Sequence, residues 1–312
     1  MTPESIQALR DSLPPFAAAV DMPAELWDFH RYYGTDFRAQ FPHARYRGGT
    51  VASGDYRLML HRWLQPDARS SLVLVHGFFD HSGIYGRLIE YGLQRGCNVL
   101  IFDHPGHGLS SGDRCTIDDF GHYGRGLADV LAAAELPDVP RWVMAQSMGA
   151  AAVMEFGRQH RWPFEAAVLL APLVRPAGWL RTRALHGLLR RFVDEVPRKF
   201  NENSSDQAFL QFLQAEPLQE RAVPVRWVGA LRRWCAGLPD TSLGLGPALV
   251  IQGDADTTVD WKYNMKAIVR LFPDSRIEYL AGAGHQLANE SPALRQRYLA
   301  LVDAYLQQVG KI

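Results

Sequence analysis

The segment Arg141-Trp-Val-Met-Ala-Gln-Ser147-Met-Gly149 is an apolar run that ends in a serine flanked, two positions to either side, by small residues. A helix-type stretch, Ala150 to His160, follows at once. A strand that turns so abruptly into a helix exposes a hydroxyl and sets the positive end of the helix dipole beneath it. The chemistry on offer is nucleophilic attack on a carbonyl. Small residues suit the two flanking positions because neighbouring backbone must approach closely there; here they are Ala145 and Gly149. The turn also aims the Met148 N–H at a developing oxyanion, and Gly77 gives the loop after Leu72 to Val75 the freedom to present a second donor, the Phe78 N–H.

A serine hydroxyl is a weak nucleophile until an oriented base takes its proton. Asp256 lies in Gly253-Asp-Ala-Asp-Thr-Thr-Val259, just past the apolar run Ala248 to Gln252, and His285 lies in Ala281-Gly-Ala-Gly-His285, just past Arg276 to Leu280. Taken singly, such an aspartate reads as a helix cap and such a histidine as a solvated loop residue. Taken with Ser147, the order serine, acid, histidine, each following a strand, predicts a catalytic triad of Ser147, Asp256 and His285. Asp254 stands as the reserve acid. His76, His81, His104, His107 and His122 show no zinc-type spacing, so no metal and no cofactor is expected.

These residues need a rigid sheet edge. Six short apolar runs, Leu72 to Val75, Asn98 to Phe102, Arg141 to Ala145, Ala166 to Leu170, Ala248 to Gln252 and Arg276 to Leu280, alternate with helix-length segments at 84–95, 118–135, 148–160, 261–271 and 292–308. A hairpin over Tyr46 to Val51 and Tyr56 to Leu64 precedes them. The pattern predicts an α/β fold, a mostly parallel eight-stranded sheet with helices on both faces. Residues 1–45 read as an N-terminal helical extension, with Asp21 and Pro23 opening a helix at Glu25 to Tyr33. The core then runs over 46–172 and 241–312, interrupted by 173–240, which is too long for a plain loop and is expected to form a helical cap.

Formal net charge is zero, which gives no bias toward nucleic acid. Three scattered cysteines form no disulfide framework, and the N-terminus lacks the basic region and apolar core of a secretion signal. A cytoplasmic protein is expected, with its oligomeric state left open.

The motifs His76-Gly-Phe-Phe-Asp-His-Ser-Gly-Ile-Tyr85 and Phe102-Asp-His-Pro-Gly-His-Gly-Leu-Ser-Ser-Gly112, the Ser147 turn, Gly253-Asp-Ala-Asp256 and Gly282-Ala-Gly-His285 together resemble the monoacylglycerol lipase and lysophospholipase branch of the α/β-hydrolases, grouped with serine-aminopeptidase-like enzymes. The resemblance covers most of the chain. It implies Ser147 as nucleophile, Asp256 as orienting acid, His285 as base, and Phe78 and Met148 as oxyanion donors, acting on a small-molecule acyl ester or lipid. Ala145 and Gln146 depart from the family's usual Gly-His-Ser-Met-Gly, and the cap matches only loosely, around Gln214-Ala-Glu-Pro-Leu218.

Leu180, Ala184, Leu185, Leu188, Leu189 and Phe192 recur at helical spacing. Leu180, Leu188, Phe192, Phe209, Phe212 and Trp227 are accordingly expected to line an acyl channel, with nearby arginines suited to a phosphate head group and peripheral membrane contact through the cap left open. Ordinary helix packing beneath a basic face is the competing reading. Other serine hydrolases of the same fold, such as a small-ester carboxylesterase, thioesterase or aminopeptidase, and a non-catalytic ligand-binding protein are the remaining alternatives.

Overall fold

The computed structural model describes residues 1–200 and 202–310. Helices α1 (Pro3–Ser12) and α2 (Ala24–Tyr33) precede a hairpin of β1 (Arg45–Ser53) and β2 (Tyr56–Leu64). Then β3 (Ser71–Val75), α3 (Gly86–Gln94), β4 (Asn98–Phe102), α4 (Gly121–Ala133), β5 (Arg141–Gln146), α5 (Met148–Gln159) and β6 (Ala166–Leu170) alternate. The insertion holds α6 (Trp179–Leu189), β7 (Glu195–Pro197), α7 (Gln207–Ala215), β8 (Ala222–Pro224) and α8 (Val225–Ala236). The chain returns through β9 (Ala248–Gly253), α9 (Trp261–Leu271), β10 (Ser275–Leu280) and α10 (Pro292–Gln308).

The main sheet has eight strands in the order β1-β2-β4-β3-β5-β6-β9-β10, with only β2 running against the rest. Strands covered on both faces must be apolar throughout, and every residue of β3, β4, β6 and β9 is buried. Side chains alternate between two cores. Val73 and Val75 pack with α4, α5 and α9, while Leu72 and Leu74 pack with α3 and α10. Ala150, Ala151 and Ala152 keep α5 thin, and Gly124 of α4 lies so close to it that a Cβ would sit 2.9 Å from the Phe156 nitrogen. The α5 N-terminus, with Ser147 before it, is thereby pinned between sheet and helix.

Two local expectations are corrected. Pro23, rather than Asp21, occupies the N-cap of α2, and no side chain caps it; the fixed φ of proline starts the helix instead. No residue of α6 is buried. Its half-buried positions, Trp179, Thr182, His186 and Leu189, face α8, whereas Leu180, Leu185 and Leu188 are exposed. Helical spacing identifies an apolar stripe but does not say what covers it, and Gly229 of α8 gives the packed position to His186.

Candidate active site

Ser147 sits between β5 and α5 with φ 53° and ψ −113°, a conformation that costs a non-glycine residue energy unless its surroundings hold it there. They do. The Ser147 N–H donates to the Leu170 carbonyl of β6 at 2.8 Å, and the turn passes so close to the end of β3 that a Cβ on Gly149 would lie 2.2 Å from the Val75 carbonyl oxygen. The small residue after the serine is therefore required by backbone crowding.

The three residues expected to act together are together. His285 Nε2 lies 2.9 Å from Ser147 Oγ, and His285 Nδ1 lies 2.8 Å from Asp256 Oδ2. A carboxylate at Nδ1 fixes the proton there, which leaves Nε2 to accept from the hydroxyl. Asp256 is itself held: Oδ1 accepts from the Thr258 N–H at 2.8 Å and the Val259 N–H at 3.2 Å, and Oδ2 also accepts from Gln252 Nε2 at 3.1 Å. Burial alone would raise the Asp256 carboxyl, but the facing His285 and these donors hold it below the ordinary carboxylate range. Asp254 is exposed and accepts instead from the Gly282 N–H, so it has no part in the chain from acid to hydroxyl.

The loop after β3 runs against the serine, since a Cβ on Gly77 would lie 3.4 Å from Ser147 Cβ. Asp80 Oδ2 and the Tyr85 hydroxyl accept the Gly77 N–H, whereas no protein acceptor among the described residues meets the Phe78 N–H. As the first residue of α5, Met148 likewise has an N–H with no acceptor inside its helix. The Phe78 ring stacks on Trp227 with centroids 3.8 Å apart, and Trp227 Nε1 donates to the Tyr123 hydroxyl at 3.1 Å.

Four further residues steady the histidine and the loop; none was among the expected site residues, although Gln146 stood out as a departure from the family motif. Gln146 Nε2 donates to the His285 carbonyl at 2.8 Å. Gln286 Nε2 donates to Asp80 Oδ1 at 2.7 Å, and the Tyr85 hydroxyl donates to Asp80 Oδ2 at 3.0 Å. Asp80 thus joins the loop after β3 to the loop of His285. Burial raises its carboxyl despite these donors. The available signal was a polar amide placed directly before the nucleophile, where the strand is buried on both faces.

The cavity over Ser147 encloses about 260 Å³. Phe78, Phe79, Phe200, Leu210, Leu213 and Val223 provide its apolar surface, with Arg198 and Lys199 opposed by Asp80 and Glu202. Arg198 lies over the Phe79 ring, 3.9 Å from its centroid, and its Nη1 donates to Gln219 Oε1 at 2.7 Å. The residues expected along an acyl channel are placed elsewhere. Leu180, Leu188 and Phe192 project outward, with exposures of 78%, 65% and 79%. Phe209 and Phe212 border a groove beside Tyr32 and Tyr33 of α2, and Trp227 lies behind Phe78.

The other histidines are structural in their contacts. His76, His104 and His107 pack ring against ring in the core, and burial pushes all three far down, His107 to about 3. His122, on α4, lies against the Tyr56 ring. His81 faces Glu216 of the insertion at 3.3 Å; burial opposes both charges, yet their mutual attraction raises the imidazole and holds the carboxyl at about 2. Among the described residues, no three such side chains are grouped to hold a metal ion.

A serine held in a strained turn between strand and helix, at the edge of this sheet and facing a histidine from the last strand's loop, is the architecture of an α/β-hydrolase. The chain belongs to the serine aminopeptidase, S33, family, whose profile matches residues 66–292. It is 28% identical to the Mus musculus monoglyceride lipase over 276 residues, covering 82% of this chain and 88% of that one. It is 23% identical over 300 residues to a probable lysophospholipase L2 of Haemophilus influenzae, covering 86% and 93% of the two chains. Among solved structures, a soluble variant of the Saccharomyces cerevisiae monoglyceride lipase with a substrate analogue superposes with a TM-score of 0.71 at 18% identity, over 85% of this chain and 97% of that one.

Proposed function

We propose that the protein is a carboxylic ester hydrolase that works through an acyl-enzyme on monoacylglycerol- or lysophospholipid-like substrates. The observation that carries this reading is the single imidazole of His285, bonded through one nitrogen to Ser147 and through the other to Asp256. In the first half-reaction His285 Nε2 takes the Ser147 proton as Oγ attacks the acyl carbonyl. The developing oxyanion is received by the Phe78 and Met148 N–H groups. Asp256 stabilises the imidazolium, which then protonates the departing alcohol. Water, deprotonated by the same nitrogen, releases the fatty acid and restores the serine.

The apolar wall of the cavity suits an acyl chain, and its mix of Arg198 and Lys199 with Glu202 suits a polar head group, a glycerol or a zwitterionic phosphate ester alike. Leu180, Leu188 and Phe192, exposed beside Arg181 and Arg191, support peripheral contact of the cap with a lipid surface. No helix among the described residues is long and apolar enough to cross a membrane. Three free cysteines accord with a cytoplasmic location.

Labelling with a fluorophosphonate, mapped by peptide mass spectrometry, should mark Ser147, and Ser147→Ala should lose at least about 10³-fold in hydrolysis of p-nitrophenyl butyrate. Wild-type activity in that variant would defeat the assignment. A chain-length series of monoacylglycerols and lysophospholipids then ranks the head groups.

A further inference from the structure

A second cleft lies between α6 and α8, on the insertion, and shares no residue with the cavity at Ser147. It encloses about 510 Å³, and its wall carries Arg175, Arg183, Arg190, Arg232 and Arg233 with His186, and no carboxylate. The chain as a whole balances 33 cationic against 33 anionic side chains, so this local excess is a property of the site.

The pairing of these arginines separates two roles. Arg175 is neutralised by Asp260 at 2.7 Å and lies over the Tyr263 ring, 3.4 Å from its centroid, so it forms part of the frame. Among the described residues, no carboxylate forms an ion pair with Arg183, Arg190, Arg232 or Arg233. Arg232 Nη1 donates to His186 Nδ1 at 2.6 Å. That bond requires a neutral imidazole as acceptor, so the charge of Arg232 stays uncompensated while its guanidinium is held in place. Burial and then Arg232, Arg190 and Arg233 hold His186 below its ordinary range, in keeping with a neutral ring. Gly229 makes the arrangement fit, because a Cβ there would lie 3.0 Å from His186 Nε2. Arg233 donates to the Asp118 carbonyl and also feels the Asp118 carboxylate, so it belongs with the frame.

Guanidinium groups gathered without counter-charge repel one another, and an anion received among them relieves that repulsion. Their planar, multi-donor geometry matches phosphoryl oxygens, and the three charges of Arg183, Arg190 and Arg232 exceed what one carboxylate would balance. We propose that the cleft between α6 and α8 is a second binding site, for the phosphoryl group of an anionic ligand, separate from the ester-cleaving centre. The inference stands whatever the natural ester is. A phosphate-bearing lipid at a membrane and a soluble phosphorylated metabolite present the same chemistry to these arginines.

The test uses the full-length protein and the variants Arg183→Ala/Arg232→Ala and Arg183→Lys/Arg232→Lys, all checked to hydrolyse p-nitrophenyl butyrate at the wild-type rate. Pyrophosphate is titrated calorimetrically at fixed ionic strength, and flotation is run with phosphatidylcholine vesicles with and without phosphatidic acid. Pyrophosphate affinity at least about tenfold weaker in the alanine variant, with partial rescue by lysine, supports the site and points to a soluble ligand. Loss confined to the phosphatidic acid vesicles supports it and assigns the lipid source. Binding equal in all three proteins, or absent from wild type in both arms, overturns it.

Discussion

Gln146 donates from Nε2 to the main-chain oxygen of His285 at 2.8 Å while its Oε1 accepts the Ala288 N–H at 3.3 Å. The residue immediately before Ser147 therefore fastens the loop that carries His285. Both ends of the buried amide are satisfied, so the link positions without strain. A displacement of the imidazole by about 1 Å is enough to cost on the order of 10²-fold in rate.

Gln146→Ala should therefore lower kcat by about 10- to 100-fold while KM for p-nitrophenyl butyrate changes little, because substrate contacts stay in place. Steady-state kinetics reads the split. Unchanged kcat would show that the loop's other bonds, Gln286 to Asp80 and the Gly284 N–H to Glu290, hold it without Gln146.

The two aspartates of the β9 loop should behave differently. Asp256→Asn keeps the shape but loses the carboxylate that fixes the proton on His285 Nδ1, and kcat should fall on the order of 10⁴-fold. Asp254→Asn touches only the Gly282 N–H and should stay near wild type. Comparable losses in both would mean that the acid has been assigned to the wrong residue.

Gly149→Ala tests the elbow. Its new methyl would meet the Val75 and His76 carbonyl oxygens at 2.2 and 2.7 Å, and neither is a flexible side chain. The turn has to open, costing about 3 kcal/mol by overpacking and displacing the Met148 N–H. Urea denaturation should show the loss, with activity falling further than stability alone explains. Wild-type stability would mean that the backbone at this turn yields more easily than the contacts imply.

Sequence reading recovered what periodicity and order encode. The strands are apolar because both faces are covered, so β3, β4 and β9 announce themselves, and the spatial grouping of Ser147, Asp256 and His285 was legible from each sitting past a strand. The positioning roles of Gln146 and Asp80 were not foreseen because a hydrogen bond between residues 139 or 206 positions apart leaves no periodic trace. The acyl-lining set failed to assemble for a related reason. Leu180, Leu188 and Phe192 have the spacing of a buried stripe, but which face α6 turns to α8 is decided by His186 fitting over Gly229. Composition and spacing describe a helix's own surface, whereas lining a cavity is a property of two surfaces together.

The buried histidines set the acid limit of the fold. Burial pushes His30 and His107 to about 3 and drives His61, His76 and His104 well below the ordinary 6.5. As pH falls below 6.5 the unfolded chain takes up protons at these five positions and the folded chain does not, so stability is full above that value and drains as pH drops. His81 and Glu216 do not change this between pH 6.5 and 4.5. His81, raised by Glu216, contributes stability that is complete below 6.5 and lost as pH rises through its higher folded value; Glu216, near 2, contributes stability present above 4.5 and lost only toward 2. Below pH 6.5 the five histidines therefore act together, His186 adds to them, and the raised carboxyls of Asp80 and Glu220 work the other way. Differential scanning calorimetry should show Tm falling steadily on acidification from pH 7.5 to 5. His104, whose ring nitrogens have no partner and which packs against Phe102 and Tyr123, is the sharpest probe. His104→Phe should keep or raise Tm at pH 7.5, because no hydrogen bond is lost, and should flatten the acid slope by removing one titrating group. A wild-type Tm that stays level or climbs toward pH 5 would show that these rings take up protons inside the fold.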